Sequence, residues 1–520
     1  MNLRAVCWLL GCVHLLLAGF MLVPAVVSAW YGEEATVEGC LWAALVTATI
    51  GGAMAWSCRG ATITSEGRVD YFRREGLAVV GLAWLAAGVM GALPYLFSGA
   101  MHSPVDGFFE SASGFTTTGA TILIPDSFDN PATEFREGLS RGIMFWRSFT
   151  HWLGGIGIVL VFVVLFPAGG RSLFRSEVPG VSREAVQQRV RDSALGLVRA
   201  YVGLTLAQVG LLWYLTRDLY DAFLHSFGTL ATGGFSDHGS SIAYYLSWKV
   251  EIVIVVFMFL AGVNFGVYDT FLRKGWRGAW EVARESSELR TYTGLIVGST
   301  LFIALVLWFW GGTNSGDPAD PMNYASFARS IRDSVFVVVS LTTSTGYGTA
   351  DFDRWPDVCR VLLMLLAVCG ACAGSTGGGL KVVRLMILTK AAMQGIRRFA
   401  RPRAIQPVRM DGKTLEDGTV GMVTAYCGLW FLVFALGTLA IASMGISPAE
   451  PHADQGILTA ATSVIASLNN IGPGLAAVGP TANFAFLPDA GKLLLALFMI
   501  IGRLEFYAVV VLFVPRFWRS

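Results

Sequence analysis

Long apolar stretches alternate with short polar connections along the 520-residue chain. An α-helix needs about 20 apolar residues to cross the hydrocarbon core of a bilayer, so each long stretch predicts a membrane span. The ten predicted spans are 5–30, 39–58, 74–98, 142–167, 195–216, 248–272, 292–311, 357–389, 420–445 and 492–514. The first is too long for the apolar region of a signal peptide, and we expect it to be retained. The pattern predicts an all-α polytopic membrane protein.

Four shorter apolar stretches lie between predicted spans. They are 106–118, 220–231, 330–344 and 454–468. Each is too short to cross a bilayer as a helix and too apolar for an ordinary surface loop. We expect these segments to enter the membrane and return on the same side.

The charges in the connections predict the orientation, because Lys and Arg collect in cytoplasmic loops. Basic residues cluster at 59–74, 171–191, 273–284, 397–413 and 516–519. Acidic residues cluster in the alternate connections, at 33–38, 126–134 and 317–320. Both termini are therefore expected in the cytoplasm, and the four short apolar stretches on the outer side.

The composition agrees with a membrane protein and excludes other classes. Hydrophobic residues make up 54% of the chain, charged residues only 14%, and there are 60 glycines, whereas soluble proteins average about 25% charged residues and about 7% glycine. The 38 basic and 36 acidic residues nearly balance. This balance leaves no global charge for binding nucleic acid.

A short glycine-containing motif occurs once in each of the four short apolar stretches. The cores of the four copies are Thr117-Thr118-Gly119, Thr232-Gly233-Gly234, Ser344-Thr345-Gly346 and Asn470-Ile471-Gly472. Their central glycines are 115, 112 and 126 residues apart. One such motif is weak evidence, but four at matched positions indicate an internal repeat of span, short helix, extended loop and span.

The repeated motif has the chemistry of a cation filter. K⁺-selective pores use four loops whose backbone carbonyls replace the ion's hydration shell, with TVGYG as the familiar sequence. Glycine tolerates the backbone dihedrals that this needs, and a preceding Thr or Ser adds a hydroxyl oxygen. The segment Ser344 to Gly348 comes closest to TVGYG. We therefore expect one chain to supply all four walls of a K⁺ filter.

An aspartate stands thirteen residues before the central glycine in three repeats: Asp106, Asp221 and Asp333. The fourth repeat has Thr459 there. This spacing predicts aspartates at the starts of the pore helices. One interpretation is that they are simple helix N-caps. A second, compatible interpretation is that they form an acidic vestibule that concentrates cations.

The eighth predicted span is interrupted by small residues between Gly370 and Gly379, where five of ten residues are glycine. Each glycine disfavours a helix by about 1 kcal/mol relative to alanine, and non-helical backbone at membrane depth must be buried in protein or line water. We interpret the segment as a movable gate, with a flexible packing kink as the alternative. The predicted gate residues here are Gly374, Ser375, Thr376, Gly377, Gly378, Gly379 and Lys381.

Arg503 falls within the last predicted span, eleven residues beyond Lys492. An arginine at the bilayer centre costs at least about 2.5 kcal/mol, so it is a candidate functional residue. It belongs either to the gate or to a structural pair with a carboxylate. Glu505 is a poor partner, because residues two apart in a helix do not share a face.

With these motifs the sequence resembles the TrkH/TrkG/KtrB superfamily of K⁺ transporters over essentially its whole length. Further segments carry the likeness: His151 to Gly157, Gly262 to Phe265 with Tyr268, Ala373 to Lys381, and Gly502 to Glu505. The two spans ahead of the first repeat are similar to TrkH-type members, since KtrB-type members usually lack them.

The resemblance implies about ten transmembrane helices, with the four repeats arranged around one pore in pseudo-fourfold symmetry. It implies a homodimer in the lipid of the bacterial inner membrane, and a cytosolic nucleotide-binding regulatory ring of the TrkA type. It also places Arg503 in the pore below the filter. The expected divisions are two N-terminal helices in 1–70 and pore repeats in 71–190, 191–290, 291–413 (with the gate) and 414–520.

The function expected from these features is K⁺ uptake, with K⁺ as the bound ion and no organic cofactor. One alternative is a Na⁺-coupled or weakly selective cation symporter on the same fold, which loss of a filter glycine would favour; all four central glycines are present. Another is an intramembrane hydrolase using Ser375 or His151, which leaves the repeat unexplained. We expect no enzyme activity.

Overall fold

The computed structural model describes residues 1–59, 73–123, 139–165, 183–310, 323–401, 407–446, 452 and 454–518. The predicted acidic connections 126–134 and 317–320, and part of the basic connections, lie outside the described residues. Within the described ranges the secondary structure is almost entirely helical.

Two N-terminal helices, α1 (Leu3–Tyr31) and α2 (Glu34–Ser57), form a closely packed pair. A Cβ at Gly11 would lie 2.7 Å from the Ala55 amide nitrogen, and a Cβ at Gly51 would lie 2.7 Å from the His14 Cβ. Small residues allow helices in a membrane to approach this closely. The His14 side chain bonds to the Leu10 carbonyl within its own helix.

The four repeats follow in chain order. Repeat one comprises α3 (Arg73–Gly91), α4 (Leu93–Phe97), α5 (Pro104–Phe115) and α6 (Arg141–Leu165). Repeat two comprises α7 (Arg183–Thr216), α8 (Leu219–Leu230), α9 (Trp248–Ala261) and α10 (Phe265–Glu285). Repeat three comprises α11 (Ser287–Trp310), α12 (Phe327–Thr342), α13 (Asp357–Cys369) and α14 (Val382–Ala400). Repeat four comprises α15 (Asp417–Ser443), α16 (Gly456–Leu468), α17 (Asp489–Arg503), α18 (Tyr507–Val510) and α19 (Pro515–Trp518).

Non-helical elements are short. Single 3₁₀ turns occupy Ser241–Tyr245, Phe352–Arg354, Ala476–Val478 and Val511–Phe513. Between repeats three and four, β1 (Arg409–Met410) and β2 (Lys413–Thr414) pair antiparallel, with Arg409 opposite Thr414. The connecting Asp411 and Gly412 both have positive φ, as a two-residue hairpin of the Asp-Gly type requires.

The repeats form a closed circle. The four short helices α5, α8, α12 and α16 are the pore helices, and they confirm the predicted short stretches. The helix that follows the glycine motif in each repeat packs against the pore helix of the next: α6 on α8, α9 on α12, α13 on α16, and α17 back on α5. This cyclic contact pattern gives the single chain its pseudo-fourfold arrangement.

Among the described residues, six helices are long and apolar enough to cross a membrane, and a bent pair makes a seventh. That pair, α9 and α10, bends by 91°, so the prediction of one continuous span over 248–272 was wrong. The break falls at Gly262 to Asn264, where the Asn264 side chain caps α10 by accepting from the Gly266 amide. The last predicted span, 492–514, is also not continuous, because α17 ends at Arg503 and positive φ at Glu505 and Phe506 breaks the helix.

Candidate functional site: a four-segment ring and the segment beneath it

Each pore helix ends in the same unusual backbone conformation. The first residue of every predicted filter core has positive φ: Thr117 (51°), Thr232 (55°), Ser344 (59°) and Asn470 (53°). The central glycine two residues later is also left-handed: Gly119 (82°), Gly234 (77°), Gly346 (83°) and Gly472 (94°). A non-glycine residue in this region costs about 1–2 kcal/mol. Strain repeated at four equivalent positions indicates a functional constraint.

The same hydrogen bond holds each turn. The residue before the central glycine donates its amide to a carbonyl five residues earlier: Thr118 to Ser113 (2.9 Å), Gly233 to Gly228 (2.8 Å), Thr345 to Ser340 (2.8 Å) and Ile471 to Ala466 (2.9 Å). This 6→1 bond belongs to the Schellman motif, in which glycine usually takes the left-handed position. Here Thr, Ser or Asn takes it, so the side chain at that position has a use that glycine cannot serve.

The four segments touch one another in a closed ring. We define the ring as residues 117–119, 232–234, 344–346 and 470–472. A Cβ added to any of three central glycines would overlap a carbonyl oxygen of the next segment: Gly119 that of Gly233, Gly234 that of Thr345, and Gly346 that of Ile471. A Cβ on Gly472 would lie 2.9 Å from the Thr118 oxygen, which closes the circle. The repeated glycine is therefore required by the neighbouring backbone as well as by its own φ.

Side chains tie neighbouring segments together. The Tyr347 hydroxyl of repeat three reaches the carbonyls of His225 (3.2 Å) and Phe235 (3.3 Å) in repeat two. The Asn470 side-chain amide donates to the Thr118 hydroxyl (2.9 Å), and this bond joins repeats four and one. Buried Thr117 Oγ1 has no hydrogen-bond partner among the described residues. It is an oxygen available to a cation at the ring.

His151 of α6 also braces the ring. Its Nε2 accepts from the Phe235 amide (3.3 Å), and its Nδ1 lies 2.9 Å from the Gly114 carbonyl. Because both ring nitrogens bind backbone groups, and the Ser375 hydroxyl donates to the Cys372 carbonyl (2.6 Å), the two residues form no nucleophile–base pair. The geometry gives the hydrolase hypothesis no support.

The sequence reasoning missed a buried ion pair behind the ring. Arg147 Nε lies 2.5 Å from Glu110 Oε1, and both side chains are almost fully buried. Arg147 NH1 donates to the Ser236 carbonyl (2.9 Å), while Glu110 accepts from the Ile122 amide (3.1 Å). The pair therefore fixes the chain just after two ring segments. The sequence did carry a signal for this pair, because each of the two residues is a charged side chain within an apolar stretch.

Two of the three aspartates lie at the starts of their pore helices, as expected, but none of the three is the N-cap. Asp106 lies in the first turn of α5, and Asp221 lies in the first turn of α8. The N-caps are instead Ser103, whose hydroxyl accepts from the Asp106 backbone amide (3.4 Å), and Asp218, whose carboxylate accepts from the Asp221 backbone amide (3.2 Å). The N-cap interpretation was therefore wrong for both residues.

Asp333 was expected at the start of its pore helix, but α12 begins six residues earlier, at Phe327, so Asp333 lies in the second turn. Asp106 pairs with Lys492 of α17 (2.7 Å). This pair joins repeats one and four on the side where the pore helices begin. On that side a cavity opens at the ring, lined by Gly119, Gly234, Gly346 and Gly472 among others.

The glycine-rich segment lies directly against the other face of the ring. We define the under-ring segment as residues 370–381, between α13 and α14. The Gly378 amide donates to the Ser344 hydroxyl (2.6 Å), and a Cβ at Gly378 would overlap the Asn469 carbonyl. The Thr376 hydroxyl donates to the Leu230 carbonyl at the end of α8 (2.9 Å). One segment thus contacts the pore-helix ends of three repeats.

Arg503 connects the under-ring segment to the remaining repeat. Its side chain is 3% exposed. NH1 donates to the Thr376 carbonyl (2.6 Å) and NH2 to the Gly154 carbonyl of α6 (3.5 Å). Among the described residues Arg503 makes no carboxylate pair, since Glu505 pairs with Arg384.

Lys381 also binds the under-ring segment, by donating to the Gly377 carbonyl. The predicted gate residues, from Gly374 to Gly379 with Lys381 and Arg503, therefore lie in one place. The Arg503 side chain and the non-helical backbone of the under-ring segment occupy the space on that face of the ring.

The fold and the ring define a class: a polytopic helical membrane protein whose four repeats each contribute a short helix and an extended segment to one central ring. The sequence profile described as TrkH: Cation transport protein matches residues 46–520. The chain therefore belongs to the TrkH family.

Individual relatives match this chain over its full length. The Trk system potassium uptake protein TrkH of Escherichia coli (strain K12) is 33% identical over 525 residues, covering 100% of both chains. The Trk system potassium uptake protein TrkG of the same organism is 29% identical, covering 100% of this chain and 99% of the relative. The crystal structure of the potassium transporter TrkH from Vibrio parahaemolyticus superposes with a TM-score of 0.85 at 30% identity, covering 100% of both chains.

Proposed function

We propose that this protein takes up K⁺ through the ring. The observation that carries the proposal is the closure of four segments with left-handed backbone at two matched positions each. Carbonyl and hydroxyl oxygens held in such a ring replace the hydration shell of K⁺, and each pore helix directs the negative end of its dipole toward the ion. The printed names of the relatives, as potassium uptake proteins and a potassium transporter, support the same ion.

The under-ring segment and Arg503 act together as the gate. In the arrangement described above the segment blocks the ring's inner face, and the arginine adds a positive charge in the ion's path. Both side chain–backbone bonds of Arg503 end on carbonyls, so conduction requires that these bonds break and that the segment moves aside. The contacts with all four repeats support this role.

The proposed setting follows the resemblance. The protein works as a homodimer in the bacterial inner membrane with both termini in the cytoplasm. A cytosolic nucleotide-binding ring of the TrkA type controls the gate. Basic residues at 273–284 lie in α10, and those at 397–401 lie at the end of α14, the helix that follows the under-ring segment. They support a cytoplasmic position for that face.

The direct test is ion uptake into proteoliposomes that contain the purified full chain, with Rb⁺ as tracer for K⁺ and Na⁺ as competitor. The native chain should take up Rb⁺ with little inhibition by Na⁺. Gly346→Ser should abolish this preference, because its Cβ would overlap the Ile471 carbonyl. The matched control is Gly298→Ser on α11, where an added Cβ meets nothing within 4 Å.

Two results would overturn the proposal. Equal Rb⁺ and Na⁺ uptake by the native chain, or Rb⁺ uptake that depends on a Na⁺ gradient, would favour the cation symporter. Unchanged selectivity in a folded Gly346→Ser variant would show that the ring is not the filter.

A further inference from the structure

A cluster of acidic and imidazole side chains lies beside the second ring segment, on the side where the pore helices begin. We define the mouth cluster as Asp221, His225, Asp237 and His238. The first two residues lie one helical turn apart in α8, and the other two follow the ring segment 232–234 after two residues. The cluster therefore bridges the start of a pore helix and the chain just beyond the ring.

The donor atoms converge. His238 Nε2 lies 3.6 Å from Asp221 Oδ1 and 3.7 Å from Asp237 Oδ1, and His225 Nε2 lies 3.8 Å from Asp237 Oδ1. Ligand atoms of Asp221, His225 and Asp237 all fall within 4.8 Å of one another. Tetrahedral Zn²⁺ with bonds of about 2.0–2.1 Å holds its ligands roughly 3.4 Å apart. Shifts of a few tenths of an ångström bring the closer pairs to that spacing.

Several of these atoms are buried and lack hydrogen-bond partners. His238 is 8% exposed, and neither of its ring nitrogens has such a partner among the described residues. Asp221 is 7% exposed, and its Oδ1 makes no hydrogen bond among the described residues, although His225 Nδ1 lies 2.7 Å away as an ion-pair neighbour. Buried polar atoms in folded proteins are nearly always satisfied, so each exception calls for a ligand, an ion or a water. Two of these exceptions, His238 Nε2 and Asp221 Oδ1, lie 3.6 Å apart.

Surrounding groups hold the donors in place. The Tyr245 hydroxyl donates to Asp221 Oδ2, and His225 Nδ1 lies 2.7 Å from Asp221 Oδ1. The His225 Nδ1 lies 3.1 Å from the Asp221 carbonyl. A backbone bond of this kind fixes the imidazole tautomer. The other nitrogen, Nε2, lies 3.0 Å from Ser236 Oγ, so a metal bound at Nε2 replaces that hydroxyl as its partner. The His238 ring stacks on Tyr244 with centroids 3.5 Å apart.

We propose that the mouth cluster binds a divalent transition-metal ion, with Zn²⁺ as the best fit. Two imidazoles and two carboxylates suit Zn²⁺ better than the oxygen-seeking Mg²⁺ or Ca²⁺, and the ion neutralises both buried carboxylates. The bound metal fastens the start of α8 to the segment after the ring and stabilises this side of the mouth. The site rests on the fold alone and does not depend on which ion crosses the ring.

The test uses the purified full chain in detergent, stripped with a chelator and then titrated separately with ZnCl₂ and CoCl₂. We expect one tightly bound metal per chain, a Co²⁺ complex with the visible absorption of tetrahedral N/O ligation, and a higher Tm with Zn²⁺. His238→Gln and Asp237→Asn should each weaken binding by more than about tenfold, since loss of an outer-shell partner alone costs 10–100-fold. The control is His102→Gln, an exposed histidine just before α5.

Binding that is equal in both cluster variants and in the control would overturn the site, as would a native chain that binds no Co²⁺ tetrahedrally. In either case the cluster is only a set of ion pairs and hydrogen bonds within the protein. If His238→Gln does not fold, Asp237→Asn and the Co²⁺ spectrum of the native chain decide. Loss of K⁺ selectivity in the uptake assay has no bearing on this outcome, so the two proposals fail separately.

Discussion

The ring and the under-ring segment are in direct contact, yet they are built by opposite principles. The ring uses the same short backbone conformation four times, and each copy is held by the next through a carbonyl that leaves no room for a Cβ. The under-ring segment occurs once, in repeat three. It is held by hydrogen bonds to Arg503 of repeat four and Ser344 of its own repeat. Backbone bonds from Cys372 to Gly262 and from Phe265 to Gly374 tie it to repeat two as well.

The difference teaches where rigidity and movement reside. Displacing one ring segment disturbs both neighbours and the braces behind them, so the ring moves only as a whole. Displacing the under-ring segment breaks side chain–backbone bonds and the backbone bonds to the break between α9 and α10. Each is worth about 0.5–1.5 kcal/mol, or about 1.5–3 kcal/mol where one partner is charged. In the proposed function, symmetry therefore supplies the fixed filter, and the asymmetric insertion supplies the part that moves.

The largest expected effect comes from the brace behind the ring. Arg147→Leu leaves the Glu110 carboxylate buried without its ion partner, and we expect the free energy of unfolding to fall by about 3–5 kcal/mol. Thermal unfolding in detergent measures this as a lower Tm. The double variant Glu110→Gln/Arg147→Leu removes the uncompensated charge and should recover part of the loss. Equal Tm values for the native chain and the single variant would show that the Glu110–Arg147 pair does not stabilise the fold.

A ring glycine comes second. Gly234→Ala places a Cβ where the Thr345 carbonyl lies, at a φ of 77°. We expect Rb⁺ uptake to fall by at least about 100-fold, equivalent to about 2.7 kcal/mol. Gly203→Ala on α7, where a Cβ meets nothing within 4 Å, should behave as the native chain. If both variants transport Rb⁺ equally, the ring is not rigid in the way described.

Arg503→Ala tests the moving part and has an effect of the opposite sign. Loss of the bonds to Thr376 and Gly154 should raise Rb⁺ flux roughly tenfold, because a hydrogen bond from a charged group contributes about 1.5–3 kcal/mol. The preference for Rb⁺ over Na⁺ should not change. The control is Arg290→Ala, an exposed arginine on α11. Unchanged flux in a folded variant would remove Arg503 from the gate.

The smallest effect is expected at the junction of the two regions. Ser344→Ala removes the hydroxyl that accepts from the Gly378 amide, a bond worth about 1 kcal/mol. Rb⁺ flux should rise a few-fold with selectivity retained, whereas Ser443→Ala on the exposed face of α15 should change neither. A loss of selectivity instead would mean that the Ser344 hydroxyl serves the ion rather than the segment beneath it.

The sequence by itself determined the repeated elements. Apolar length and the recurring glycine motif predicted the four pore helices and the ring positions, because both depend on local backbone requirements that each residue type carries with it. The charge of Arg503 and the glycines of 370–379 marked the proposed gate, because an arginine and several glycines are unusual within an apolar span. These features were readable because every copy of the motif obeys the same steric rule.

Only the tertiary structure decided how these parts meet. The Glu110–Arg147 brace and the mouth cluster join residues that are distant along the chain. The 91° bend between α9 and α10 depends on the neighbours that packing supplies. Asp333 illustrates the limit: its spacing matched that of Asp106 and Asp221, but α12 is one turn longer at its start. Spacing along the chain fixes a residue's position relative to its own motif, and it does not fix where a helix begins or which side chain of another repeat lies opposite.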